Sequence, residues 1–140
     1  MKILVAVDGS SYTKRMLAYL VAHDEWLGNA HQYTVLHAVP AVPPRAAAVL
    51  DKAVLKSYYD DEAEKVLKTL RTFFEKQKVR AEFVSKVGPA SDVIAAAANK
   101  GKFDLLLMGS HGHGTLGNLV LGSVATKVMS QTDVPVLLVR

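Results

Sequence analysis

A chain of 140 residues, half of them apolar, is long enough to bury one core, and it points to a single domain over 1–140. The net charge of +4 arises from 17 basic and 13 acidic residues that are interspersed rather than pooled into a basic stripe, which argues against nucleic acid as a partner. The chain has no cysteine, so disulfide and thiolate chemistry are excluded, and no apolar run approaches the roughly 18 residues of a membrane span; a cytoplasmic protein that does not enter a membrane is expected.

Ile3–Val7 is a short, continuous apolar run rich in β-branched residues, the pattern of a strand covered on both faces. Asp8-Gly9-Ser10-Ser11 follows as a turn, with Ser10 or Ser11 as N-cap of a helix from Tyr12 to Leu27 that carries Met16, Leu17, Leu20, Val21 and Leu27 at helical spacing. Gly28-Asn29 stops it. Tyr33–Val39 is a second strand, and Pro40, Pro43 and Pro44 then rule out regular structure in the connection.

A long amphipathic helix is expected from about Val49 to Lys78, with Leu55, Tyr59, Ala63, Val66, Leu67, Leu70 and Phe74 on one face. Asp61–Lys65 and Glu64–Lys68 pair at i,i+4 on the other. Arg80–Val87 is a more polar strand and so nearer a sheet edge, and Ala90–Lys100 is a helix ended by Gly101. Phe103–Met108 is a buried strand, Ser123–Ser130 a helix and Val134–Val139 a last strand. Strands that alternate with helices at this spacing give a parallel sheet with helices on both faces, a doubly wound α/β domain.

In such sheets ligands lie beyond the carboxyl ends of the strands, where the strand order reverses. Asp8-Gly9-Ser10, Val39-Pro40 and the glycine-rich stretch from Gly109 all fall at such ends. Within that stretch GHGTLG (Gly112–Gly117) fits the dinucleotide fingerprint, but too few residues follow to complete that fold, and Asp133 precedes a strand instead of ending one. No Walker A sequence occurs, and His111 and His113 alone cannot complete a metal's coordination sphere. An anion cradle fits better: glycines let backbone N–H groups approach a phosphate, and the helix opening at Ser123 adds its positive end. His111 and His113 are candidate phosphate contacts.

The glycines fall as Gly109-x2-Gly112-x9-Gly122-Ser123, and with VAVDGS, LHAV, DLLLMGSHG and VPVLLVR in order the whole chain resembles the ATP-binding branch of the universal stress protein family. The resemblance implies a five-stranded sheet in the order 3-2-1-4-5, of the adenine nucleotide alpha hydrolase-like kind. It also implies a homodimer through the C-terminal strand, residues 134–140, whose short apolar edge would otherwise be exposed. It implies ATP with Mg²⁺ or Mn²⁺ as ligand, Asp8 at the ribose and near the divalent ion, Ala6 alongside, and the Val39 backbone at adenine. Gly109, Gly112, Gly122, Ser123 and Val124 would hold the phosphates. The function so implied is a nucleotide-dependent stress or signalling module acting through a protein client not identifiable from sequence. The alternatives are a slow ATPase or phosphotransferase, for which the stretch Met108–Ser123 offers no lysine or arginine, and an interaction protein with a vestigial site.

Overall fold

The five apolar runs form one parallel sheet, and the order of elements is β1 (Lys2–Val7), α1 (Ser11–Ala22), β2 (Gln32–Val39), α2 (Pro44–Val49), α3 (Lys52–Lys76), β3 (Ala81–Val87), α4 (Ala90–Lys100), β4 (Leu105–Gly109), α5 (Ser123–Gln131) and β5 (Val136–Val139). The structure is a computed structural model and describes residues 1–25, 28, 30–114 and 118–140. Leu27 and Asn29 at the expected end of the first helix, and Gly117 at the end of GHGTLG, lie outside the described residues.

The strand order is β3-β2-β1-β4-β5, as expected, and every neighbouring pair is parallel. β1 occupies the centre, and its five residues after Lys2 are all buried, which is why the run is uniformly apolar instead of alternating. Ile3, Val5 and Val7 face one core with Met16 and Leu20 of α1 and Leu67, Leu70 and Phe74 of α3. Leu4 and Ala6 face the other with Ile94 and Ala98 of α4 and Ala125 and Val128 of α5. The more polar β3 lies at one edge of the sheet and β5 at the other.

Four sequence expectations change. The proline-rich connection does contain regular structure: Pro44 takes the first position of the six-residue helix α2, where its missing N–H has no intrahelical partner to lose. The long helix accordingly starts at Lys52, not Val49, and ends at Lys76. The first helix ends at Ala22, and Val21 is 46% exposed rather than part of the apolar face. On α3 the close ion pairs are Lys56–Asp60, Glu62–Lys65 and the bidentate Glu64–Arg71, not Asp61–Lys65 and Glu64–Lys68. The fork of Arg71 matches both oxygens of Glu64, and a lysine ammonium cannot do that. This holds the Glu64 carboxyl below its ordinary range and raises Arg71, although both groups are exposed.

Ser10 stands at the N-cap of α1 but its side chain caps nothing; its buried hydroxyl has no hydrogen-bond partner among the described residues. Asp8, two residues earlier, accepts the Ser10 N–H instead. No helix among the described residues is long and apolar enough to cross a membrane.

Candidate functional site

The reversal of strand order falls between β1 and β4, and a cleft of about 420 Å³ opens there at the carboxyl ends of the strands. That volume lies within the range of small-molecule sites. The space has a plain cause in sequence. Two residues beyond Leu4 on β1 and Leu36 on β2 stand Ala6 and Ala38, and these line the cleft with Ala90 of α4 and Ala125 of α5. Ile94 and Met108 give the cleft an apolar wall, and Asp8, the glycine loop and the start of α5 give it a polar rim.

Each signature glycine leaves space that another group needs. A Cβ on Gly109 would lie 2.7 Å from the Tyr12 Cβ, where α1 crosses the end of β4. On Gly112 it would lie 2.9 Å from Asp8 Oδ2, and on Gly122 it would lie 3.0 Å from the His111 Cα and 3.1 Å from the Ser110 carbonyl oxygen. The last contact accompanies a hydrogen bond from the Gly122 N–H to that same carbonyl, at 2.7 Å, which closes the base of the loop.

Gly122 is the N-cap of α5 and offers no side-chain cap; the first intrahelical bond runs from the Thr126 N–H to the Gly122 carbonyl. The N–H groups of Ser123, Val124 and Ala125 therefore have no carbonyl within the helix to reach, and these three residues line the cleft. With the helix dipole behind them they favour an anion. Among the described lining residues there is no lysine or arginine.

The histidines brace this loop. The Leu119 carbonyl can only accept, so His111 Nε2 carries a proton and donates to it at 2.8 Å, while Nδ1 accepts from the Ser110 hydroxyl at 2.8 Å. The ring also packs against Tyr12 at 4.9 Å between centroids, and the Arg15 guanidinium lies 4.8 Å from the centre of the Tyr12 ring. His113 donates through Nε2 to the Asp8 carbonyl at 2.7 Å, tying the loop to the end of β1. Both imidazoles line the cleft, yet the hydrogen bonds they make here are to the protein itself. Among the described residues no three His, Cys, Asp or Glu side chains gather as a metal would require.

Of the residues singled out from sequence, Ala6, Asp8, Gly109, His111, Gly112, His113, Gly122, Ser123 and Val124 converge on the one cleft. Val39 does not line it: its side chain packs in the core on the α1/α3 face and its carbonyl accepts the Gly88 N–H at 3.0 Å. Sequence reasoning missed Thr13, which lines the cleft and bonds Asp8, and missed the ring of alanines. The available signal was Ala6 and Ala38, each two residues beyond a leucine (Leu4, Leu36) on its strand. It also missed His37, buried on β2, whose Nδ1–H donates to the Val7 carbonyl at 2.8 Å and caps the end of β1 next to Asp8.

Comparison with known proteins agrees with this architecture. A family model described as "Universal stress protein family" matches residues 1–140. A universal stress protein encoded in the 3′ region of a QAH/OAS sulfhydrylase in Thermus aquaticus is 35% identical over 150 residues, covering 99% of this chain and 97% of the relative. A universal stress protein family member from Arabidopsis thaliana, solved with AMP bound, superposes with a TM-score of 0.70 at 16% identity over 99% of this chain and 90% of that one. The universal stress protein from Archaeoglobus fulgidus in complex with dAMP gives 0.69 at 21% identity over 100% and 98% of the two chains.

Proposed function

The chain belongs to the universal stress protein family, and from that premise we propose that its cleft binds an adenine nucleotide, ATP with Mg²⁺ or Mn²⁺ in particular, and that occupancy alters how the protein engages a client. The observation that carries this reading is the convergence of the uncapped start of α5, the glycine loop and Asp8 on one cleft with an apolar wall. The wall suits a purine, and the N–H groups of Ser123, Val124 and Ala125 suit phosphate oxygens. Asp8 Oδ2, turned toward Gly112, suits a ribose hydroxyl. Relatives of the same fold solved with AMP and with dAMP support the ligand class.

A divalent ion fits as a passenger on the phosphates. Asp8 is the only carboxylate among the described lining residues, and a magnesium ion held by one carboxylate, phosphate oxygens and waters is a common arrangement. When bound, the ion would offset phosphate charge that no lysine or arginine here offsets. The same scarcity favours binding over turnover, because phosphoryl transfer needs charge stabilisation and an oriented nucleophile. We also assign the open edge of β5 to a second copy of the chain. Titration calorimetry with ATP, with and without Mg²⁺, tests the proposal: binding in the micromolar range that strengthens with Mg²⁺ is expected, and no heat with ATP, AMP or their Mg²⁺ mixtures overturns it.

A further inference from the structure

Of the two Asp8 carboxylate oxygens, Oδ1 is bonded into the fold. Oδ1 accepts the Ser10 N–H at 2.9 Å and the Thr13 hydroxyl at 3.0 Å. The Thr13 oxygen in turn accepts the Asp8 N–H at 3.2 Å, so the two residues clamp each other in both directions. Thr13 is only 4% exposed, and it lies in the first turn of α1, where a β-branched side chain has few rotamers to choose from. Its hydroxyl is thus held in place by the backbone of the helix.

The Ser10 N–H alone would leave the carboxylate free to turn, because the terminal torsion of an aspartate is broad and roughly two-fold. A second donor on Oδ1 removes that freedom and leaves Oδ2 toward Gly112, where the glycine makes room for it. We infer that Thr13 is a positioning residue: it aims the Asp8 carboxylate into the cleft and so sets how strongly the site distinguishes a ribose from a deoxyribose. The inference rests on the nucleotide reading of the cleft for its consequence, but not for its geometry.

The test therefore has a ligand-free arm and a ligand arm, on the full chain with Thr13→Val and Thr13→Ser. Valine keeps the branched shape and removes the hydroxyl; serine keeps the hydroxyl. In amide hydrogen exchange, Thr13→Val speeds the Ser10 N–H about tenfold or more, the scale expected for losing a hydrogen bond to a charged group. The amides of Met16, Leu17 and Leu20 stay as in the parent, and Thr13→Ser restores slow exchange at Ser10. Equal acceleration along all of α1 would mean general loosening of the helix and would overturn the inference.

In the ligand arm, calorimetry compares AMP with dAMP. The parent prefers AMP, Thr13→Val loses about tenfold on AMP and little on dAMP, and Thr13→Ser recovers the preference. An unchanged ratio of AMP to dAMP affinity in Thr13→Val overturns the specificity role. If the parent binds neither nucleotide, the reading of the cleft falls and the specificity role falls with it, while the exchange arm still decides whether Thr13 holds Asp8.

Discussion

Gly112 and Gly122 respond differently to a side chain because of what each one faces. Alanine at Gly112 would press on the Asp8 carboxylate, the end of a side chain, whereas any side chain at Gly122 meets the backbone of Ser110 and His111. Gly112→Ala should therefore weaken nucleotide binding about tenfold by moving one carboxylate, a loss of about 1.4 kcal/mol. Gly122→Val should abolish measurable binding by opening the base of the loop, with calorimetry separating the two. Tyr33 is the residue to watch at high pH. Burial raises its phenol above the ordinary value of 10.0, with the Gly28 backbone opposing part of the shift, and its hydroxyl has no partner in hydrogen-bond geometry among the described residues. Below pH 10 both folded and unfolded chains keep this proton, and above it the unfolded chain loses its proton first. Stability should then fall as pH rises past about 10, and less so in Tyr33→Phe, as read from thermal midpoints between pH 8 and 11.

At the level of elements, hydrophobic pattern and punctuation made nine of the ten described elements legible. Ile3–Val7 and Leu105–Met108 read as strands because burial on both faces demands unbroken apolar runs. What escaped was set by other means. The helix α2 is short and held at its start by Pro44, which a sequence reader takes as a breaker, and the partners of Glu64 were decided by guanidinium geometry rather than by spacing. The cleft lining was legible where a residue type is unusual, as with Asp8 and the glycines, and illegible where a residue only leaves space or bonds another side chain, as with Ala38, Ala90 and Thr13. The open edge of β5 yields a prediction. The carbonyls of Pro135 and Val139 accept bonds from β4, at the Leu106 and Ser110 N–H groups, so the alternation of a strand turns the Leu138 N–H outward. Leu138→Pro removes an outward donor and should leave the fold intact by circular dichroism while converting a dimer to a monomer in light scattering. A parent chain that is already monomeric at tens of micromolar would refute the assigned dimer edge.

For the whole molecule, a ligand that binds only the folded chain stabilises it by mass action. At a nucleotide concentration one hundred times its Kd the gain is about 2.7 kcal/mol. At roughly 2–4 °C per kcal/mol for a chain of this size, the thermal midpoint should rise by about 5–10 °C. The rise should appear with ATP and Mg²⁺ and be missing in Gly122→Val; the same rise in both proteins would place the ligand elsewhere than the cleft.

The pairing of Ala6 with Met108 brings a further consequence. β1 leaves the ribosome about 100 residues before β4, so one of its two edges stays bare over that span, and closing so long a loop is entropically slow. During translation the chain can pair β1 with β2 and β2 with β3 while half of the cleft does not yet exist. If the cleft is the nucleotide site proposed above, binding follows the closing of the sheet and does not template it. On that reading a bound nucleotide latches only molecules whose sheet has already closed between β1 and β4.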